Sequence, residues 1–254
     1  MNLENLREEW LREEAAPFKG WDFSHLDGRW DEEPLPWDYK EIVNQYRSPE
    51  QKLLDEGTGG GEFLLSLGHP FENTAVTESW EPNIRLCKER LEPLGIRVAP
   101  TEEGAPLPFA DGAFDLVINR HESYDPAELR RVLQPGGVFV TEQVGGENNG
   151  GFSERLLGAF EPEYPGFCLK REAERFRTEG FTLLRQEEYF PRLRFFDVGA
   201  VVWFAKVIPW EFPEFSVERC FSQLCELERE RAERGFVESR EHRFLLVSKK
   251  QDTL

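Results

Sequence analysis

Residues 53–64 read LLDEGTGGGEFL, an apolar run, two acids and then four glycines within five residues. A chain otherwise rich in bulky side chains keeps Cβ atoms out of this one turn. That lets backbone approach a bound molecule closely and aims the free N–H groups of the following helix at it. From Lys52 onward, short apolar runs alternate with helical stretches: KLLDEG and EFLLSLG; AVTES and PNIRLCKERLEPLG; IRVAP; FDLVIN and PAELRRVL; GGVFVTEQV. Runs of four to six apolar residues separated by helices predict βαβ units, hence a parallel sheet covered on both faces. Pro82 and Pro126 mark helix starts, and Gly95 and Gly136 are expected just past helix ends.

Three ligand classes use such a turn. The phosphate loop of nucleotide triphosphatases needs Lys then Ser or Thr after its last glycine, but Gly61 is followed by Glu62 and Phe63. The dinucleotide fingerprint needs a small residue where Glu62 stands, and a carboxylate there would face a pyrophosphate. What remains is a ligand without phosphate.

The segment from Asp55 to Gly61 resembles the D-x-G-x-G-x-G of class I S-adenosylmethionine (SAM)-dependent methyltransferases, in particular methyltransferase type 11-like bacterial proteins. The resemblance spans about residues 50–145 and includes LPFADGAFDLV and LRRVLQPGGVFV. It implies SAM as cofactor, with Asp55, Gly57, Thr58, Gly59 and Gly61 around its methionine part. Glu78, ending the second strand, would take the ribose hydroxyls, beside Ser79 and Trp80. Glu103 and Gly104 would lie at the adenine, and Asn119, ending the fourth strand, near the methyl group. Taken singly, Asp55, Glu78 and Glu103 read as ordinary strand-end carboxylates; together, at the ends of three successive parallel strands, they fit a ligand in the crevice there.

The implied fold is α/β, a Rossmann-like, mostly parallel seven-stranded sheet with helices on both faces. The whole chain, 1–254, reads as one methyltransferase domain: an N-terminal segment over the cleft (1–49), a SAM-binding core (50–145) and a cap insertion between the last two strands (190–240). In that cap, DVGAVVWFAKVIPWEFPEF is apolar nearly all round, and a helix is expected over 216–234 with Ser216 as its N-cap.

Methyl transfer from a sulfonium is a direct displacement, so positioning carries most of the catalysis. Arg120 to Tyr124 follow the fourth strand and would face the reacting end. His121 is the foremost candidate base, with Tyr124 and Glu122 behind it; each could equally be a capping or cleft-lining residue. Trp21, Trp37 and Tyr39 in the N-terminal stretch, and Trp203 and Phe204 in the insertion, are candidates for an acceptor pocket, although aromatics at such density are more often core. The acceptor this suggests is small and partly apolar.

Hydrophobic residues make up 39% of the 254, aromatics 13% and charged residues 31%, the composition of a folded globular chain. A formal charge of −18 opposes polyanionic partners such as nucleic acid or an anionic membrane. The basic run KREAERFR, 170–177, is better read as a solvated helix face. Four scattered cysteines, Cys87, Cys168, Cys220 and Cys225, suggest neither a metal site nor a disulfide framework. The charged N-terminus and the lack of a long apolar stretch suggest a cytoplasmic protein. An RNA or protein methyltransferase and a non-catalytic SAM-binding interaction module remain open as alternatives. A pyridine-nucleotide enzyme is disfavoured by Glu62.

Overall fold

The computed structural model describes residues 2–18, 22–102 and 104–251, so Trp21 and Glu103 lie outside the described residues. The strands are β1 (Trp30–Glu32), β2 (Leu53–Glu56), β3 (Thr74–Glu78), β4 (Arg97–Pro100), β5 (Phe114–Arg120), β6 (Leu133–Val144), β7 (Phe181–Tyr189), β8 (Arg192–Phe195), β9 (Val237–Arg240) and β10 (Arg243–Lys250). The helices are α1 (Leu3–Glu14), α2 (Tyr39–Tyr46), α3 (Glu62–Leu67), α4 (Glu81–Arg90), α5 (Pro126–Val132), α6 (Gly150–Leu157), α7 (Leu169–Thr178), α8 (Val198–Val207) and α9 (Phe221–Arg234). They group into two compact units. One comprises Pro36–Val144, Cys168–Glu188 and Phe244–Leu254; the other comprises Met1–Leu35, Gly145–Phe167 and Tyr189–Arg243.

The first unit is built on a seven-stranded sheet of order β4-β3-β2-β5-β6-β10-β7. Its first five strands pair in parallel, as the alternating pattern predicts. The β2 and β3 strands, LLDE and TAVTE, are buried along their whole length and each ends in an acid. One core holds Leu54, Val117, Leu129, Phe139, Phe176 and Leu246, each worth about 1.5–3 kcal/mol of burial. The topology reverses beside β2: β3 lies on one side and β5 on the other. Such a switch point leaves a crevice at the carboxyl ends of the strands. Helix starts follow the chain's own signals. The Asp125 side chain accepts from the N–H of Ala127 to cap α5, and Gly61, at φ 79°, turns the chain into α3.

The second unit holds the antiparallel sheet β1-β8-β9, with Trp30 opposite Phe195 and Phe195 opposite Val237. Helix α8 is buried nearly all round, and its Trp203 is packed by Phe18, Phe23 and His25. The indole N–H of Trp203 is buried without a hydrogen-bond partner among the described residues, while one cluster of buried polar groups here pairs within itself. Glu211 accepts from the side-chain amides of Asn148 and Asn149, at 2.5 and 2.7 Å, and Ser239 donates to Asn149 at 2.5 Å.

Three expectations change in detail. The last helix begins at Phe221 rather than 216, because Ser216 closes an earlier turn by accepting from the N–H of Arg219. Gly136, at φ 76°, falls where β6 breaks register between Leu133 and Val138, not at a helix end. The N-terminal stretch divides at Leu35: Trp37 and Tyr39 group with the large sheet, while the part up to Leu35 groups with β1, β8 and β9.

Candidate functional site

The glycine turn lies at the carboxyl end of β2. Gly57, Gly59 and Gly61 all have positive φ, 73°, 61° and 79°, which side-chain-bearing residues adopt at a cost. At Gly57 a Cβ would also meet the Cγ of Glu122 at 2.3 Å, whereas at Gly59 the space is open. The turn is tied down by neighbours. Thr58 donates from its backbone N–H to the carbonyl of Thr77 at 3.1 Å, and Cys87 donates its thiol to the carbonyl of Gly59 at 3.1 Å. Arg90 donates to the carbonyl of Gly60 at 2.9 Å and also pairs with Glu62.

Glu78, 4% exposed at the end of β3, gathers donors from both sides. Its Oε2 accepts from the N–H of Gly59 at 2.8 Å, and its Oε1 from the N–H groups of Ser79 and Trp80 at 3.0 Å each. It thus satisfies the first free N–H of α4, for which Trp80 is the N-cap residue. The acid and the glycine turn, some twenty residues apart in sequence, meet directly. Ser79 and Trp80 are exposed, Trp80 by 57%, and Gly104 is exposed at φ 73°.

Asp55 is buried and accepts from the Thr58 hydroxyl at 2.6 Å. Burial pushes its carboxyl up to about 6, against the lowering effect of that hydrogen bond and of Arg120. Its neighbour Glu56, which the motif did not single out, is pushed up to about 8 by burial, only partly offset by a hydrogen bond from Asn119 at 3.2 Å. Register explains the second contact, since Glu56 faces Asn119 across β2 and β5, and Asn119 faces Thr141 across β5 and β6. Asn119 is fully buried, and its side-chain amide oxygen accepts from Gln143 at 2.7 Å and Thr141 at 3.3 Å. It braces the crevice floor by cross-strand contacts.

The segment after β5 carries the expected reactive groups. His121 is about two-fifths exposed, sits at φ 60° and donates its backbone N–H to the carbonyl of Glu142 at 3.0 Å. Its Nε2 lies 3.7 Å from Oε1 of Glu142. Glu142, 7% exposed, accepts from the indole N–H of Trp37 at 2.7 Å. Glu122 lies against Gly57 and accepts from the N–H and hydroxyl of Ser123 at 3.0 and 3.1 Å. Tyr124 turns into the core against Phe139 and Phe176, its hydroxyl buried without a hydrogen-bond partner of good geometry. Burial and the Glu172 carboxylate raise that hydroxyl well above its ordinary value, which favours a packing role.

Tyr39 is also buried. It donates to the carbonyl of Asn119 at 2.9 Å, accepts from that residue's N–H at 3.2 Å, and stands 5.2 Å, centroid to centroid, from Phe63. Arg120 covers the Phe63 ring at 4.9 Å. Trp203, 1% exposed, and Phe204, 5%, are core residues of the second unit. Sequence reasoning missed Glu56 and Glu142. The signal for each was a carboxylate breaking a buried strand at its carboxyl end, LLDE in β2 and VTEQV in β6.

Five acids therefore belong to this end of the sheet: Asp55, Glu56, Glu78, Glu122 and Glu142. Glu56, pushed up to about 8, adds little negative charge at neutral pH, but the other acids suit a cationic ligand and repel a polyphosphate. A cofactor carrying an ammonium, a sulfonium and a ribose diol fits them. The turn brings backbone close, Asp55 is buried with Arg120 as its positive neighbour, and Glu78 holds its carboxylate beside the turn by backbone N–H groups.

Comparison with known proteins agrees with this geometry. A family model described as a methyltransferase domain matches residues 54–141. The chain is 31% identical over 119 residues to a ubiquinone/menaquinone biosynthesis C-methyltransferase of Cupriavidus metallidurans, covering 42% of this chain and 49% of that one. It is 34% identical over 88 residues to a phthiotriol/phenolphthiotriol dimycocerosates methyltransferase of Mycobacterium tuberculosis, covering 32% of each. The chain thus spans half or less of the curated relatives it matches. Among solved structures, a methyltransferase candidate from Bacillus halodurans C-125 matches with a TM-score of 0.55 at 14% identity, covering 85% of this chain and 99% of that one. The [4+2]-cyclase SpnF matches with a TM-score of 0.50 at 15% identity, covering 84% and 80%. Likeness at that level fixes the fold alone. Among the described residues, no helix is long and apolar enough to cross a membrane.

Proposed function

We propose that this chain, whose residues 54–141 match a methyltransferase-domain family model, is a class I SAM-dependent methyltransferase that transfers the methyl group of SAM to a small, partly apolar acceptor. The observation that supports the reading is Glu78 joined to the N–H of Gly59 at 2.8 Å, which brings the acid proposed to hold the ribose to a turn with three positive-φ glycines, open at Gly59. When bound, SAM supplies an electrophilic methyl carbon on a sulfonium.

The chain's own part is placement. Glu78 would hold the ribose hydroxyls, Asp55 the ammonium by way of its ionised form, and the turn at Gly57–Gly61 the methionine part. Glu103 and the exposed Trp80 and Gly104 stand for the adenine side. The segment 120–124 would receive the acceptor. Holding two reactants in line can supply about 7–11 kcal/mol of a displacement barrier. The small-molecule substrates in the names of both curated relatives support a small acceptor, and the charge of −18 disfavours RNA.

The test is to incubate the protein with methyl-labelled SAM and, separately, a small-molecule extract, RNA and protein, and to follow the label. Label in the small-molecule fraction, with matching S-adenosylhomocysteine, is the expected result. Label in RNA or protein alone would overturn the choice of acceptor, and no transfer to any fraction would overturn the enzymatic reading.

A further inference from the structure

Helix α4 turns one stripe of side chains onto the glycine turn. Cys87, Arg90 and Leu91 stand at i, i+3 and i+4, the spacing that puts residues on one helix face, and each meets a successive glycine. The Cys87 thiol donates to the carbonyl of Gly59 at 3.1 Å, and Arg90 donates to the carbonyl of Gly60 at 2.9 Å. The methyl carbons of Leu91 would stand 3.0 Å from a Cβ at Gly61. Arg90 also pairs with Glu62, the first residue of α3, and so joins the turn to the helix that follows it. The front of α4 reaches the same peptides from the other side. Oε2 of Glu78 accepts from the N–H of Gly59 at 2.8 Å and from the side-chain amide of Asn83, in the first turn of α4, at 3.4 Å. Gly59 is therefore held at both ends, its N–H by the acid that caps α4 and its carbonyl by a thiol further along the same helix. Burial pushes that thiol up to about 11, helped by the carboxylates of Glu78 and Asp55, so at neutral pH it keeps the hydrogen it donates.

We propose that α4 and its capping acid form one clamp that fixes the glycine turn, with Cys87 and Arg90 as positioning residues for the cofactor. They act through the carbonyls of Gly59 and Gly60, which they hold turned toward α4. The carboxylate proposed to take the ribose and the turn proposed to take the methionine part thereby keep one spacing. This rests on the SAM-binding reading and deepens it: affinity for the cofactor is set in part by side chains behind the turn. The physical reason is order. Glycine loses more backbone freedom on ordering than any other residue, and this turn places three glycines at positive φ within five residues. A clamp that orders them beforehand removes that cost from binding.

The clamp is tested first without ligand, by amide hydrogen exchange read residue by residue in NMR. In Arg90→Met the N–H groups of Gly59 and Gly61, bonded to Glu78 and to the carbonyl of Thr58, should exchange about tenfold faster than in the wild type, the equivalent of one hydrogen bond from a charged group. Cys87→Ala should speed Gly59 by a smaller factor. Amides of β5 and β6, which open only with the sheet, should keep their rates. Arg90→Lys and Cys87→Ser each return a donor and should recover part of the protection. Calorimetry with S-adenosylhomocysteine then reads the consequence: affinity should fall about tenfold in Arg90→Met and follow the same order across the variants. Turn amides that exchange no faster in Arg90→Met and Cys87→Ala, or that quicken only in step with β5 and β6, would overturn the clamp, as would faster turn exchange with unchanged affinity. A wild type that binds no S-adenosylhomocysteine would overturn the cofactor reading instead, and the exchange comparison, made without ligand, separates the two failures.

Discussion

The two units of this chain bury polar groups to different ends. In the unit built on β1, β8 and β9, the buried carboxylate of Glu211 is matched by two asparagine amides, and aromatic rings fill the space around Trp203. In the sheet unit, acids gather at the carboxyl ends of the parallel strands, and burial, which also raises Glu211, drives Asp55 and Glu56 up to about 6 and about 8. A polar cluster paired within itself specifies structure, whereas carboxylates held at raised pKa at the ends of parallel strands are where a cationic ligand is proposed to bind.

That contrast breaks most sharply if the two units answer mutation in the same way. Trp203→Ala should destabilise the protein by about 3–5 kcal/mol through the cavity it leaves, lowering the midpoint of thermal unfolding while SAM affinity in the remaining folded protein is unchanged. A loss of affinity without a loss of stability would move Trp203 from core to site. Glu78→Ala should do the reverse, weakening SAM binding by about 2–4 kcal/mol in calorimetry, because the proposed ribose acceptor goes and the N–H groups of Gly59, Ser79 and Trp80 lose their partner.

Within the glycine turn the comparison sharpens. Gly57→Ala meets Glu122 as well as an unfavourable φ and should weaken SAM binding by about 1–3 kcal/mol. Gly59→Ala, with open space, should show only the conformational cost of about 1–2 kcal/mol. Equal effects would mean that the contact with Glu122 is immaterial.

The smallest effect expected is that of pH. A cationic ligand favours ionised Asp55, which sits at about 6 in the free protein, so lowering the pH from 7 to 5 should weaken SAM binding about tenfold. Asp55→Asn should flatten that dependence while lowering affinity throughout. The sign for folding is opposite. Because the folded value lies above the unfolded one of about 3.9, this group's contribution is most favourable below about pH 4 and is lost as pH rises through about 6.

Much of this was legible in sequence because it is local or periodic. Strand and helix alternation, the glycine turn and the acid ending β3 depend on spacing along the chain, and Gly59 and Glu78 do meet. The aromatics were not legible. Tyr124, Trp203 and Phe204 look alike in a one-dimensional pattern whether they line a pocket or fill a core, and only long-range packing against Phe139, Phe176 or Phe18 decides. Glu142 was hidden for a related reason: its partners, Trp37 and His121, are 105 and 21 residues away.

The central claim is that the acid at the end of β3 and the glycine turn after β2 together hold SAM. It is tested most directly by calorimetric titration of S-adenosylhomocysteine, SAM and NADH into the wild type and into folded Glu78→Ala. The account predicts micromolar binding of the first two, none of NADH, and loss of binding in the variant. Tight NADH binding, or SAM binding indifferent to Glu78→Ala, would contradict it.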